Sequence, residues 1–236
     1  MTHHFGVLIP STNTTVEIEF TRLPPQYQAH YARVFTSAPG SPFSPPRDED
    51  VEYQSKLLGT AKVPVIVLIQ TSASLFAEDY DDATTRRIAA ASGAAALTSA
   101  QAVGRALRAL GTRRVALVSP YSEAVNARAR HYFESKYGLQ IVALEGFGAT
   151  DSYAIGHLGP ENARDAFARI DRQEIEAFVV PGGNFPTMAS VAGWEAEFNK
   201  PVVTTNQAAL WAVARQVSSE TRLTGLGRLL AEMPSD

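Results

Sequence analysis

Gly6-Val7-Leu8-Ile9-Pro10-Ser11-Thr12-Asn13 is a short apolar run that ends in a proline and three side chains suited to a turn or a helix start. Two more segments of the first half have the same form. Val65-Ile66-Val67-Leu68-Ile69 leads into Gln70-Thr71-Ser72, and Ala96-Leu97 leads into Thr98-Ser99-Ala100-Gln101-Ala102. The second half repeats the series: Val115-Ala116-Leu117-Val118 leads into Ser119-Pro120-Tyr121-Ser122, Phe178-Val179-Val180 into Pro181-Gly182-Gly183-Asn184, and Val202-Val203 into Thr204-Thr205-Asn206-Gln207-Ala208. Positions 8 and 116, 70 and 181, and 98 and 204 give offsets of 108, 111 and 106 residues. Three motifs in one order at nearly one offset mark an internal duplication.

Between the apolar runs lie helical stretches of roughly 12 to 18 residues, the alternation expected of βαβ units around parallel sheets covered on both faces. The expected fold is α/β, with two pseudosymmetric lobes, each a mostly parallel sheet flanked by helices. Residues 1–111 with 212–236 are expected to form the first lobe and residues 112–211 the second. Asn13-Thr14-Thr15 caps a first helix that carries Val16, Ile18 and Phe20, with Glu17 in its first turn. Ala102, Val103, Ala106, Leu107 and Leu110 have helical spacing, and Gly111 supplies a stop. Residues 37–48 are rich in Pro, Gly and Ser and read as a surface loop, either a plain connection or a lid over the site.

Composition narrows the function. The chain has 236 residues, 45% of them hydrophobic, and its 24 acidic against 21 basic side chains leave a net charge near −3. No dense Lys/Arg cluster offers a footprint for nucleic acid or anionic lipid, and no apolar run is long enough to span a bilayer. The first residues hold no basic and apolar leader pattern, so a cytoplasmic location is the expectation. There is no cysteine, which removes disulfides, thiolate metal sites and thiol nucleophiles. No metal-ligand spacing and no G-x-G-x-x-G or Walker pattern occurs, so neither a metal nor a cofactor is expected. Self-association is left open.

In open α/β sheets ligands bind beyond the carboxyl ends of the strands, which is where every repeated motif falls. Pro10, Asn13, Thr71, Ser72, Tyr121, Ser122, Gly182, Gly183, Asn184 and Asn206 there offer hydroxyls, amides and free backbone N–H groups. Such groups bind an anion without a formal positive charge, so the expected ligand is a small carboxylate. His157 reads as a loop or capping histidine with a possible place in proton transfer. The acidic stretch Glu78-Asp79-Tyr80-Asp81-Asp82 reads as a solvated helix start. Asp151 and Tyr153, after Gly146-Phe147-Gly148, are candidates for a pocket wall.

Pro10-Ser11-Thr12-Asn13-Thr14-Thr15-Val16-Glu17 and Thr204-Thr205-Asn206-Gln207-Ala208-Ala209-Leu210-Trp211 resemble segments of maleate cis-trans isomerases. Thr71-Ser72-Ala73-Ser74 and Ser119-Pro120-Tyr121-Ser122-Glu123-Ala124-Val125-Asn126 resemble segments of arylmalonate decarboxylases. Both groups belong to the aspartate/glutamate racemase superfamily. The resemblance implies two pseudosymmetric lobes with the ligand in the cleft between them, commonly flanked by one cysteine from each lobe. Here those positions correspond to Gln70 and Pro181. A glutamine amide does not exchange protons near neutral pH, and proline has no acidic group, so two-thiol chemistry is excluded. What the resemblance carries over is an anion-binding shell: Asn13 for one carboxylate, and Thr71, Ser72 and Tyr121 with neighbouring N–H groups for another. The expected activity is a cofactor-free lyase of arylmalonate-decarboxylase type, with Tyr121, Ser72 and Gln70 as catalytic groups and an enediolate-like state held by neutral donors. An isomerase, hydratase or hydrolase of a related carboxylate stays open beside it, as does a noncatalytic carboxylate-binding protein.

Overall fold

The chain was studied as a computed structural model that describes residues 2–36, 41–217, 219 and 221–235. Its first half runs β1 (His3–Pro10), α1 (Val16–Phe20), β2 (Tyr27–Val34), α2 (Asp48–Thr60), β3 (Val65–Leu68), α3 (Tyr80–Ser92), β4 (Ala95–Thr98) and α4 (Ser99–Ala109). The second half follows with β5 (Arg114–Tyr121), α5 (Glu123–Tyr137), β6 (Gln140–Ala149), α6 (Ser152–Ile155), α7 (Pro160–Ile170), β7 (Ala177–Val180), α8 (Val191–Phe198), β8 (Val202–Thr204), α9 (Thr205–Gln216) and α10 (Arg228–Glu232). Each half forms one four-stranded sheet, ordered β2-β1-β3-β4 in the first and β6-β5-β7-β8 in the second. Every pairing is parallel. One strand order twice over is the duplication read from the sequence, now as topology.

Alternation along the strands sorts the core. Val7 and Ile9 of β1 and Val65 and Val67 of β3 join a large apolar cluster that also takes in Val115, Leu117, Phe178 and Trp211 of the second half. Their neighbours Leu8, Ile66 and Leu68 point the other way, into a smaller cluster with Val51 and Leu58 of α2 and Ile88 of α3. Successive strand side chains face opposite sides of the sheet, so each sheet is covered on both faces. The shared cluster is closed by α4 and α9, two helices that follow equivalent strands and pack on each other.

Local signals account for the helix starts. Thr98 and Gln101 form a reciprocal cap at the head of α4: the Gln101 N–H donates to Thr98 Oγ1 at 3.2 Å, and the Thr98 N–H donates to Gln101 Oε1 at 3.1 Å. At α9 the Thr204 N–H donates to Gln207 Oε1 at 3.2 Å. The residues Ala102, Val103, Ala106 and Leu107 are buried as their spacing requires, and Gly111 turns the chain at φ +70°.

Two expectations need correction. In α1 it is Glu19 that is buried, whereas Ile18 is 63% exposed, because a five-residue helix is oriented by what its ends touch rather than by its apolar count. Nor is the acidic stretch wholly solvated. Asp81 is buried on α3, where Thr98 Oγ1 donates to it at 2.8 Å, the Tyr132 hydroxyl at 2.5 Å and Lys136 Nζ at 3.4 Å. Three donors compensate the burial of one carboxylate. Residues 37–40 of the expected loop lie outside the described residues, and α2 begins at Asp48.

Candidate active site

The carboxyl ends of β1, β3, β5 and β7 deliver their turns to one place. Pro10 and Asn13 come from the end of β1, Gln70, Thr71 and Ser72 from the end of β3, Tyr121 from β5, and Gly182, Gly183 and Asn184 from the end of β7. Together they enclose a small cavity between the two sheets, with free space of about 20 Å³, room for a single water. Sequence reasoning missed four further wall residues: Phe43, Ile69, Ser152 and Ile155.

The wall is built from neutral donors whose bonds to the protein determine what each can offer. Asn13 Oδ1 accepts the N–H groups of Thr15 at 3.0 Å and Val16 at 2.9 Å, capping α1, which leaves its Nδ2 for a ligand. Arg33 pins the same turn from β2, donating to Asn13 O at 2.9 Å and Ser11 O at 3.2 Å while paired with Glu17. The Ser72 hydroxyl, in a 3-10 turn spanning Thr71–Leu75, makes no hydrogen bond to the described residues. Thr71 Oγ1 is instead engaged, 3.2 Å from Ser99 Oγ and 3.0 Å from Thr205 Oγ1. Thr205 Oγ1 in turn accepts the Gly182 N–H at 2.9 Å. Ser99 and Thr205 open α4 and α9, so this buried chain of hydroxyls runs across the pseudo-twofold and locks the two halves of the site together.

Tyr121 is the one titratable side chain on the wall among the described residues. Burial holds its phenol well above the usual tyrosine range, with a hydrogen bond to Thr71 acting in the opposite direction. It stays a proton-bearing donor at any physiological pH. The Phe43 ring stands edge-on to it, centroids 5.5 Å apart at 78°. Gln70 Nε2 donates to the Ser44 carbonyl at 2.8 Å, and Phe43 of the same segment stands on the cavity wall. Gln70 Oε1 is buried without a partner among the described residues.

Gly182 and Gly183 are more than a turn. Gly182 has φ +111°, and a Cβ at Gly183 would lie 2.5 Å from Ile69 Cγ2 of the opposite half. Only bare backbone fits where the two halves meet. Asn184 lines the cavity, but its side chain is a tie between segments: Oδ1 accepts the Thr14 N–H at 2.8 Å and Nδ2 donates to Ser152 O at 2.8 Å.

Three expected site residues lie elsewhere. Ser122 follows Tyr121 in extended backbone, so it points to the other side and stands at the head of α5. Pro181 is buried beside the cavity but does not line it. Asn206 sits one layer behind, its Nδ2 donating to Gly183 O at 3.1 Å and to Glu19 Oε2 at 2.6 Å. Asp151 and Tyr153 are not on the wall either. Asp151 caps α6 through the Ala154 N–H at 2.9 Å and Tyr153 is half-exposed, and the neighbouring Ser152 and Ile155 are the residues that reach the cavity. His157 is held outside by Tyr153, with ring centroids 4.5 Å apart.

Glu19 is the tie that the sequence hid. Its Oε1 accepts the N–H groups of Thr187 at 2.7 Å and Met188 at 2.8 Å, and its Oε2 accepts from Asn206, so one carboxylate of the first half organises the second. Burial raises its pKa from 4.5, opposed by these hydrogen bonds.

Residues 46–230 match the family model described as arylmalonate decarboxylase. A maleate isomerase from Pseudomonas putida is 24% identical over 97% of both chains, and an arylmalonate decarboxylase from Bordetella bronchiseptica is 26% identical over 78% of both. Among solved structures, that of the maleate isomerase Iso variant from Pseudomonas putida S16 with maleate superposes with a TM-score of 0.85 at 22% identity, covering 98% of each chain. A variant of arylmalonate decarboxylase in a liganded form superposes equally well, with a TM-score of 0.85 at 23% identity over 98% of this chain and all of that one. The shared architecture extends over the whole molecule, and the family match takes in most of the strands and turns that build the cavity. The chain belongs to the arylmalonate decarboxylase family.

Proposed function

We propose that the chain is a cofactor-free lyase that removes CO₂ from a small dicarboxylic acid. One observation carries the reading: the cavity sets neutral donors against apolar side chains, and among the described residues no carboxylate, lysine, arginine or histidine lies on its wall. Breaking the bond to the departing carboxylate leaves an electron pair that spreads into the remaining carboxyl group as an enediolate. The Ser72 and Tyr121 hydroxyls, and the N–H groups at the heads of the turns around Thr71 and Gly183, are the donors for that charge. Preorganised donors of this kind are often the largest single contribution to a rate. Phe43, Ile69 and Ile155 supply the apolar side, which disfavours a charged carboxylate and suits neutral CO₂. The carbon then takes a proton from Tyr121 or from water. No step needs a thiol, in keeping with a chain that has none.

A free space of about 20 Å³ is too small for a dicarboxylate, so entry requires the segment carrying Phe43 and Ser44 to move, releasing the Gln70 tether. We read residues 41–47 as the moving part. CO₂ release from substituted malonates by the purified protein tests the activity. Tight binding without turnover, with Tyr121→Phe changing affinity alone, would favour a carboxylate-binding protein instead.

The full-length similarity to proteins named maleate isomerase supports a second reading, isomerization or hydration of an unsaturated dicarboxylate. Gln70 Oε1 would then hold a water for attack. Mass spectrometry on a substrate panel separates the two readings, because loss of CO₂, gain of water and no change in mass are distinct outcomes.

A further inference from the structure

Resting on that reading, we infer that the acid taken by this site carries a hydroxyl on the carbon next to its carboxylate, and that Gln70 Oε1 receives the hydrogen bond from it. Gln70 is 7% exposed and lines the cavity, yet its carbonyl oxygen has no partner among the described residues. The amide cannot be turned round to cure this. Its Nε2 donates to the Ser44 carbonyl at 2.8 Å, and a reversed amide would set two acceptors against each other. The orphaned acceptor is therefore a fixed property of the closed site, and a donor on the bound acid would satisfy it.

The number of donors narrows the group. An ammonium brings three N–H donors, whereas among the described residues of the wall Gln70 Oε1 is the one buried acceptor without a partner. A hydroxyl brings one donor for that one acceptor. Sites built to hydrogen-bond a substrate hydroxyl reject the analogue that lacks it, because the buried protein group is then left unpaired.

Hydroxymalonate and methylmalonate test this, being nearly equal in size and differing in the donor. Calorimetric titration of the wild-type protein should show hydroxymalonate binding roughly ten- to a hundredfold more tightly. Gln70→Leu, checked for folding by circular dichroism and a thermal melt, should abolish that ratio. The two ligands also separate the tether from the reader: losing the bond to Ser44 weakens both ligands alike, whereas losing the acceptor weakens hydroxymalonate alone. Equal affinities in the wild type, or a ratio that survives in Gln70→Leu, would overturn the inference and leave the carboxylate pocket standing. Tighter binding of aminomalonate than of hydroxymalonate would overturn it in favour of an amino acid. Failure of all three and of malonate itself to bind would overturn the reading of the site as well.

Discussion

Tyr121 and Glu19 are both buried, and burial pushes both pKa values upward, but the consequences differ. For Tyr121 the raised pKa keeps the phenol protonated, which a donor to an enediolate requires. Tyr121→Phe should lower kcat by roughly 10²- to 10³-fold, the usual cost of one oxyanion donor, and leave the melting temperature close to that of the wild type. The wild-type rate should show no tyrosine titration up to the ordinary value of 10.0, measured as kcat against pH. For Glu19 the raised pKa means that the folded protein gives up this proton at a higher pH than the unfolded chain does. The stability linked to that proton is complete below 4.5 and is lost as pH rises through the folded-state value. Urea midpoints from about pH 4 to about pH 8 should therefore fall for the wild type relative to Glu19→Gln, and parallel curves would contradict the assignment. Tyr121 was legible in the sequence because it stands in the turn motif that follows an apolar run. Glu19 was not, since a carboxylate between Ile18 and Phe20 looks like the outer face of a helix until its partners near Thr187 are known.

At the scale of elements, helix starts and strand ends were readable because their signals are local: a capping pair at Thr98 and Gln101, a positive-φ glycine at Gly111, apolar spacing along α4. Asn13→Ala removes the acceptor for two N–H groups at the start of α1 and should cost about 1 kcal/mol in chemical denaturation. What local signals could not give is which residues of a turn face the cavity. Ser122, Pro181 and Asn206 belong to the right turns and point elsewhere, while Phe43 and Ile155 come from segments whose sequence suggested a place near the site without showing which side chain reaches it. Gly183 is the element-scale test. Gly183→Ala would press a methyl group on Ile69 and spread the ends of β3 and β7, costing about 1–3 kcal/mol and most of the activity. A fully active, equally stable variant would show that the two turns do not meet as described.

The duplication was legible at the scale of the whole molecule because three motifs recur in one order, and the two sheets repeat one strand order. The depth to which the halves interlock was not legible. One apolar cluster runs through both, α4 packs on α9, Glu19 reaches across to the second half, and the hydroxyls of Thr71 and Thr205 lie 3.0 Å apart at the centre. Such contacts pair residues more than a hundred positions apart, which no periodicity reveals. They make the cavity a property of the assembled molecule, where each half supplies donors and, among the described residues, neither supplies a charge. The most direct test is a crystal structure of the protein with a bound malonate. Carboxylate oxygens should then lie within hydrogen-bonding distance of Ser72 Oγ, the Tyr121 hydroxyl and the Gly183 N–H. Malonate bound instead in the groove beside Arg128 and Lys136, with the cavity between the sheets still closed, would contradict it.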